Sequence, residues 1–270
     1  MRPLLVLVAC LLFAGLPVSA QDSLDELANS PEMAFAEDAS QPFLVWDVSG
    51  GFRMAPPADF KPTPLVTLWP DGRIRTGSDR PEVKPCDGKL TREELYQLLQ
   101  FIVVQNRFYE AETDEIKSAI EQAGNGPRIA DAMTSRFSLN LKRGRHKVEV
   151  YALSFQLSQY PQLDVLQRLS AIEMRLRNLV ALVQLGDRTA VEALLAEVNG
   201  ELKKKHPEIR PMEKSEVLNV SRGARGELVV VLSRKTAGKS GQGSPELTVL
   251  YERKGETTEP GITIHRQRKK

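Results

Sequence analysis

Cysteine and histidine are scarce in this chain, two and three residues among 270, and their scarcity excludes much chemistry. Cys10 lies in an apolar N-terminal run and Cys86 stands alone in Pro85-Cys86-Asp87-Gly88. A mature chain without that run has no internal disulfide and must draw its stability from packing. With no histidine close in sequence, Cys86 is expected to be a tolerated free thiol in a loop rather than a reactive one. His146, His206 and His265 are too dispersed for a local metal motif, and Cys86 has no cysteine partner, so no zinc site is expected. A serine hydrolase would need an activated serine with a histidine base, and no Gly-x-Ser-x-Gly occurs. No cofactor is expected.

Long apolar runs are also missing. The longest, Leu4 to Leu16, is too short for a hydrocarbon core that takes about 20 apolar residues to span. Arg2 precedes it, and Pro17 with Val18-Ser19-Ala20 follows, the order of charged, apolar and small-residue regions in a secretory signal. Met1 to Ala20 is therefore expected to be a cleaved signal peptide, with cleavage between Ala20 and Gln21 and a periplasmic or secreted destination. Leu7-Val8-Ala9-Cys10 has the look of a lipidation box. The apolar run continues past Cys10 through Leu11, Leu12 and Phe13, where a lipoprotein would turn polar, so tethering at Cys10 is not expected.

Nor is there much net charge. The full chain carries +2, and loss of Arg2 leaves +1, so nothing global marks a polyanion binder. The distribution is uneven, because Arg210 to Lys270 holds 13 Lys/Arg against 7 Asp/Glu. Two basic clusters, Lys203-Lys204-Lys205 and the tail with Arg266, Arg268, Lys269 and Lys270, form a candidate contact surface for an envelope protein or an anionic polymer. Neither cluster contains an aromatic residue for base stacking, which argues against specific nucleic-acid binding. Ala237-Gly238-Lys239-Ser240 resembles the end of a phosphate loop, but Ser233 stands where the first glycine belongs, and a Gly-rich loop follows instead of a helix.

Periodicity supplies the fold class. Residues 21–41 are polar and acidic and read as a flexible leader, with one helical turn near Leu24 to Ala28. Phe43 to Val48 suits a strand, and Leu65 to Trp69, Pro70-Asp71-Gly72 and Arg73 to Thr76 spell a hairpin. Thr91 with Glu94 forms a capping box ahead of Leu95, Leu98, Leu99, Ile102 and Val103, predicting a helix over 92–105. A second helix over 113–123, a second hairpin over 137–152 and two further helices, about 165–183 and 189–205, follow from the same reasoning. The apolar seam from Val165 to Val183 suits packing on the protein's own sheet, with self-assembly as the alternative. Strand-like segments at 217–220, 227–233, 247–252 and 262–265 complete an antiparallel meander. The expectation is an α+β fold: a signal peptide (1–20), the leader (21–41), an α+β domain (42–186), a helical connector (187–211) and a basic β-meander with a frayed tail (212–270).

Ser49-Gly50-Gly51-Phe52, Pro64-Leu65-Val66-Thr67-Leu68 with Asp71-Gly72, Leu90-Thr91, Ala130-Asp131-Ala132 and Val148-Glu149-Val150-Tyr151-Ala152-Leu153 occur in that order. Over roughly residues 43–183 this resembles an uncharacterised domain of exported bacterial proteins and lipoproteins. The resemblance implies an envelope or secreted location and an α+β domain, and it implies no activity and no catalytic residues. The functional expectation is a non-catalytic binding module of the bacterial envelope; the alternative is a hydrolase of envelope material built from scattered carboxylates.

Overall fold

The computed structural model describes residues 33–36, 38–51, 60–78, 83–124, 129–222, 227–235, 245–253 and 261–266. The signal peptide with Ala20 and Gln21, the turn near Leu24, the Gly238 loop, and Arg268, Lys269 and Lys270 lie outside the described residues.

The fold is α+β, with a six-stranded and a separate four-stranded antiparallel sheet. Strand β1 (Leu44–Gly50) alternates buried Leu44, Trp46 and Val48 with half-buried Val45, Asp47 and Ser49. That period-two pattern leaves one face for the core and one for solvent. β1 joins two hairpins. On one side it pairs with β2 (Val66–Leu68), which leads to β3 (Arg73–Thr76) and β4 (Cys86–Lys89). On the other it pairs with β5 (Met133–Leu141), which turns into β6 (Gly144–Tyr151). The order β4-β3-β2-β1-β5-β6 therefore contains both hairpins expected from the sequence, united by a central strand.

Helix α1 (Arg92–Leu99) starts at the expected capping box: Thr91 Oγ1 accepts from Glu94 N at 3.2 Å, and Glu94 Oε2 accepts from Thr91 N at 3.0 Å. It then widens into a π-helix over Gln100–Gln105, closed where both Asn106 N and Nδ2 donate to the Phe101 carbonyl. Helix α2 (Thr113–Ala123) and the residues before it cover the free edge of β6. Tyr109 Oη donates to Gly144 O, His146 Nε2 lies 2.8 Å from Ala111 O, and Glu149 N donates to Thr113 Oγ1. An edge closed this way offers no template for strand addition. A short helix α3 (Leu153–Gln159), not evident from the sequence, follows β6.

The long helix α4 (Asp164–Leu185) serves two cores. Leu166, Leu169, Ile172 and Leu176 pack against the inner face of the large sheet, while Ala181, Leu182 and Leu185 belong to a second cluster. Each leucine fully removed from water contributes about 1.5–3 kcal/mol. The Val165 to Val183 seam is thus spent on the protein's own sheet, with Val165, Leu179 and Val183 packed at its margin. Buried Glu173 is fully matched: Arg177 donates to Oε1 through Nε (2.9 Å) and Nη2 (2.6 Å), and Ser135 Oγ donates to Oε2 at 2.6 Å. The Arg177 guanidinium lies 5.4 Å from the Trp46 ring centre.

Helix α5 (Arg188–Lys205), N-capped by Asp187, lays Val191, Leu194, Val198 and Leu202 on the second cluster. Leu185 and Val191, on either side of the boundary expected at residue 186, share that cluster. The four-stranded sheet is the expected meander: β7 (Val217–Arg222), β8 (Leu228–Lys235), β9 (Pro245–Arg253) and β10 (Gly261–Arg266) in simple up-and-down order. Its junction with α4 is polar. Asn178 Nδ2 donates to both Lys214 O and Val217 O at 2.8 Å, and buried Glu216 receives Arg234 Nε at 2.6 Å and Arg210 Nη2 at 2.9 Å. Among the described residues no helix is long and apolar enough to cross a membrane.

Candidate functional site

A tight turn prepares an open cavity at one end of the large sheet. Between β2 and β3 the chain reverses at Trp69 to Arg73, where Gly72 takes φ +83° and donates its N–H to Trp69 O. A Cβ at position 72 would lie 2.5 Å from Leu90 O, so glycine alone lets the end of β4 come this close, where Leu90 N donates to Gly72 O at 2.9 Å. Along β3, Ile74 and Thr76 turn into the core and Arg73 and Arg75 turn outward.

Cross-strand register then assembles the site. Arg75 stands opposite Asp87 and grips it with both arms of its fork, Nε to Oδ1 at 2.7 Å and Nη2 to Oδ2 at 3.2 Å. Arg73 reaches the Asp71 carboxylate through Nε at 2.6 Å, and its guanidinium lies 5.2 Å from the Trp69 ring centre. Trp69, Arg73, Ile74, Arg75, Asp87 and Gly88 line an open cavity of about 290 Å³. Behind it, Gly88 lets the sheet approach α4, since a Cβ there would sit 3.3 Å from both γ-carbons of Val183.

The electrostatics decide what this cavity can do. Hydrogen bonds from Arg75 hold the Asp87 carboxyl below the usual carboxylate range, and those from Arg73 do the same for Asp71. Asp87 in turn raises the affinity of Arg75 for its proton. A carboxyl driven toward its ionised form is a poor general acid at neutral pH, and acid-base hydrolysis needs one carboxyl kept protonated. The guanidiniums, in contrast, are permanently charged forks suited to carboxylate or phosphate. Their side chains are 57% and 55% exposed, so water screens these ion pairs and each is weak. Two outward guanidiniums on one strand are groups able to hold an anion.

The residues expected from sequence fall elsewhere. Lys203, Lys204 and Lys205 occupy the last turn of α5, where cations complement the helix dipole. Glu201 binds Lys204 Nζ at 2.8 Å and Lys205 Nζ at 3.3 Å, one carboxylate set against three lysines. Arg266 closes β10. Cys86 sits half-buried in β4 and not in a loop, its Sγ 3.7 Å from Lys84 O, because pairing with Thr76 draws Cys86-Asp87-Gly88 into the sheet as an edge strand. The three histidines are dispersed: His146 on β6, His206 at the end of α5 and His265 on β10. Among the described residues no three His, Cys, Asp or Glu side chains are grouped to hold a metal ion. Glu93 receives Gln97, Glu94 receives Lys214 and Asp114 receives Lys117, so these carboxylates work as helix and interface partners.

Sequence reasoning did not single out Trp69, Arg73, Arg75 or Asp87 together. The signal was present in Arg73-Ile74-Arg75, where alternation in a hairpin strand puts both arginines on one face. No family model matches the chain, and neither the search of curated proteins nor that of solved structures returns a match.

Proposed function

We propose that this chain is an exported, non-catalytic binding module of the bacterial envelope whose contact site is the Trp69–Arg73–Arg75 cavity on the open face of the large sheet. The observation that carries the binding role is the pair of outward arginines lining the cavity, Arg75 and, over an indole ring, Arg73. Such a constellation recognises anions through charge-assisted hydrogen bonds. The signal-like Met1 to Ala20 supports export, with the mature chain starting at Gln21, and the ordered motifs between Ser49 and Leu153 support an envelope setting through their resemblance to an exported bacterial domain. A hydrolase would call for two converging carboxyls, one of them protonated, and the cavity offers neither condition.

The test is a binding measurement with the full mature chain against anionic and neutral envelope polymers, comparing wild type with Arg73→Ala/Arg75→Ala. Saturable, salt-sensitive binding to the anionic polymers that falls at least about tenfold in the double variant is the expected result. Equal binding by the two proteins, or binding to neutral polymers alone, removes the cavity from the function.

A further inference from the structure

The outward face of the large sheet extends well beyond the cavity. Followed through the cross-strand pairing, one row of outward residues crosses all six strands: Asp87, Arg75, Thr67, Val45, Ser138 and Lys147. Neighbouring rows add Arg73 opposite Lys89 on one flank, and Asp47, Arg136 and Glu149 on the other. Arg145 stands on β6 two residues from Lys147 and directs its Nε at Ser138 Oγ, 3.4 Å away. The helices' apolar residues cluster with the sheet's inward side chains, while on the outward row Asp87, Arg75 and Lys147 are exposed and Thr67, Val45 and Ser138 half-buried.

Charge on this face is segregated. Cations gather over β3 and β4 (Arg73, Arg75, Lys89) and again over β5 and β6 (Arg136, Arg145, Lys147). The lane between them along the central row is uncharged, with the hydroxyls of Thr67 and Ser138 on either side of apolar Val45. The carboxylates Asp71, Asp87 and Glu149 are taken by Arg73, Arg75 and Arg136, Asp47 on the flanking row accepts from Val48 N, and Lys147 makes no ion pair among the described residues. Strands lie about 4.8 Å apart, so the four steps from Arg75 on β3 to Lys147 on β6 span about 19 Å.

Two cationic zones separated by a neutral, hydrogen-bonding lane match a linear polymer that carries anions at intervals on a hydroxyl-rich chain. We infer that this face is a track for an extended anionic polysaccharide bearing sugar carboxylates, entering at the Trp69–Arg75 cavity and crossing the sheet to Lys147 and Arg145. The fork geometry supports carboxylate, since Arg75 already holds one bidentately in Asp87, the group a ligand carboxylate would replace. A nucleic-acid strand would seek bare aromatic faces for its bases, and the Trp69 ring is occupied by Arg73 while the central lane has none. This inference rests on the binding role proposed above and adds the polymer class and its direction.

The experiment uses the full mature chain, with oligogalacturonates as probes: a trimer, shorter than the span of about 19 Å, and a dodecamer, longer than it. Polyphosphate of the dodecamer's charge serves as the second arm, and the Arg145→Gln/Lys147→Gln variant tests the far zone. A thermal midpoint equal to wild type verifies that these exposed substitutions leave the fold intact. The expected result is a dodecamer that binds at least about tenfold tighter than the trimer, because the second zone adds an intramolecular contact. The variant should lose that gain while keeping the wild-type affinity for the trimer. Equal affinities for trimer and dodecamer, with binding still dependent on Arg75, overturn the track and leave the cavity reading standing. Polyphosphate binding as tightly as the dodecamer overturns the sugar-carboxylate assignment. No binding of any probe overturns both readings.

Discussion

Replacing Asn178 with alanine is expected to uncouple the two sheets before it unfolds either. The Asn178 amide is 3% exposed and donates two hydrogen bonds of 2.8 Å, to Lys214 O and Val217 O, across the seam between α4 and the second unit. The β7–β8 register shifts between Val217 and Asn219, next to the carbonyl that Asn178 holds. Alanine would take this buried donor from Val217 O at about 1–2 kcal/mol, while the part-buried Lys214 O keeps the Val217 N–H. That is a measurable share of a typical stability of about 5–15 kcal/mol. In urea, with a slope of about 2 kcal/mol per molar, the midpoint should fall by about 0.5–1 M. Hydrogen exchange locates the loss: amides of Val217–Arg222 should exchange faster, while those of Leu44–Gly50 keep their protection. A midpoint shift of only a few tenths molar, or equal loss of protection in both strands, would refute the idea that this one amide fastens the second sheet to α4.

Other outcomes follow from single contacts. Even a single Cβ at position 88 would lie 3.3 Å from the side chains of Ile74 and Val183. Gly88→Val adds two methyl groups beyond that, and the overpacking should lower stability by about 1–3 kcal/mol in thermal or urea unfolding. Thr91→Ala removes half of the capping box and should cost about 1 kcal/mol, whereas Thr91→Ser should be nearly neutral. Burial pushes the Glu94 carboxyl up, but Lys214 and Thr91 outweigh it and the net shift is downward. A carboxylate lowered on folding stabilises above its ordinary value of 4.5 and loses that contribution as pH falls through the lower folded value. Lys214→Met should therefore reduce stability at pH 7, and its unfolding curve should converge with wild type at low pH; a difference that persists undiminished at about pH 2.5 would exclude this ion pair as the cause.

Local chemistry made much of the fold readable in advance. Pro70-Asp71-Gly72 marks a reversal because proline presets φ and glycine accepts φ > 0, and Thr91-x-x-Glu94 marks a helix start because both side chains answer unpaired N–H groups. What escaped was set by contacts distant in sequence. Cys86-Asp87-Gly88 has turn composition and becomes a strand only because β3 offers it partners. The apolar spacing after Pro161 predicts a helix with one face, whereas α4 serves two clusters because a second sheet meets its C-terminal turns. The widening to a π-helix at Gln100 has no signature in the residues themselves. The site was missed for a related reason. A run of three lysines is conspicuous in sequence, whereas Arg75 meets its partner Asp87 only through strand pairing, 12 residues away.

Helix α4 also acts as a ruler with a fixed phase. One residue inserted between Leu176 and Ala181 would turn everything downstream by about 100° and advance it by about 1.5 Å. Ala181, Leu182 and Leu185 would then swing off the second cluster while Leu166 to Leu176 stayed in place. Chain length is therefore free to vary in the turns between strands but not here, and a natural variant that gains or loses a residue in this stretch should compensate within about one helical turn or lose the second sheet.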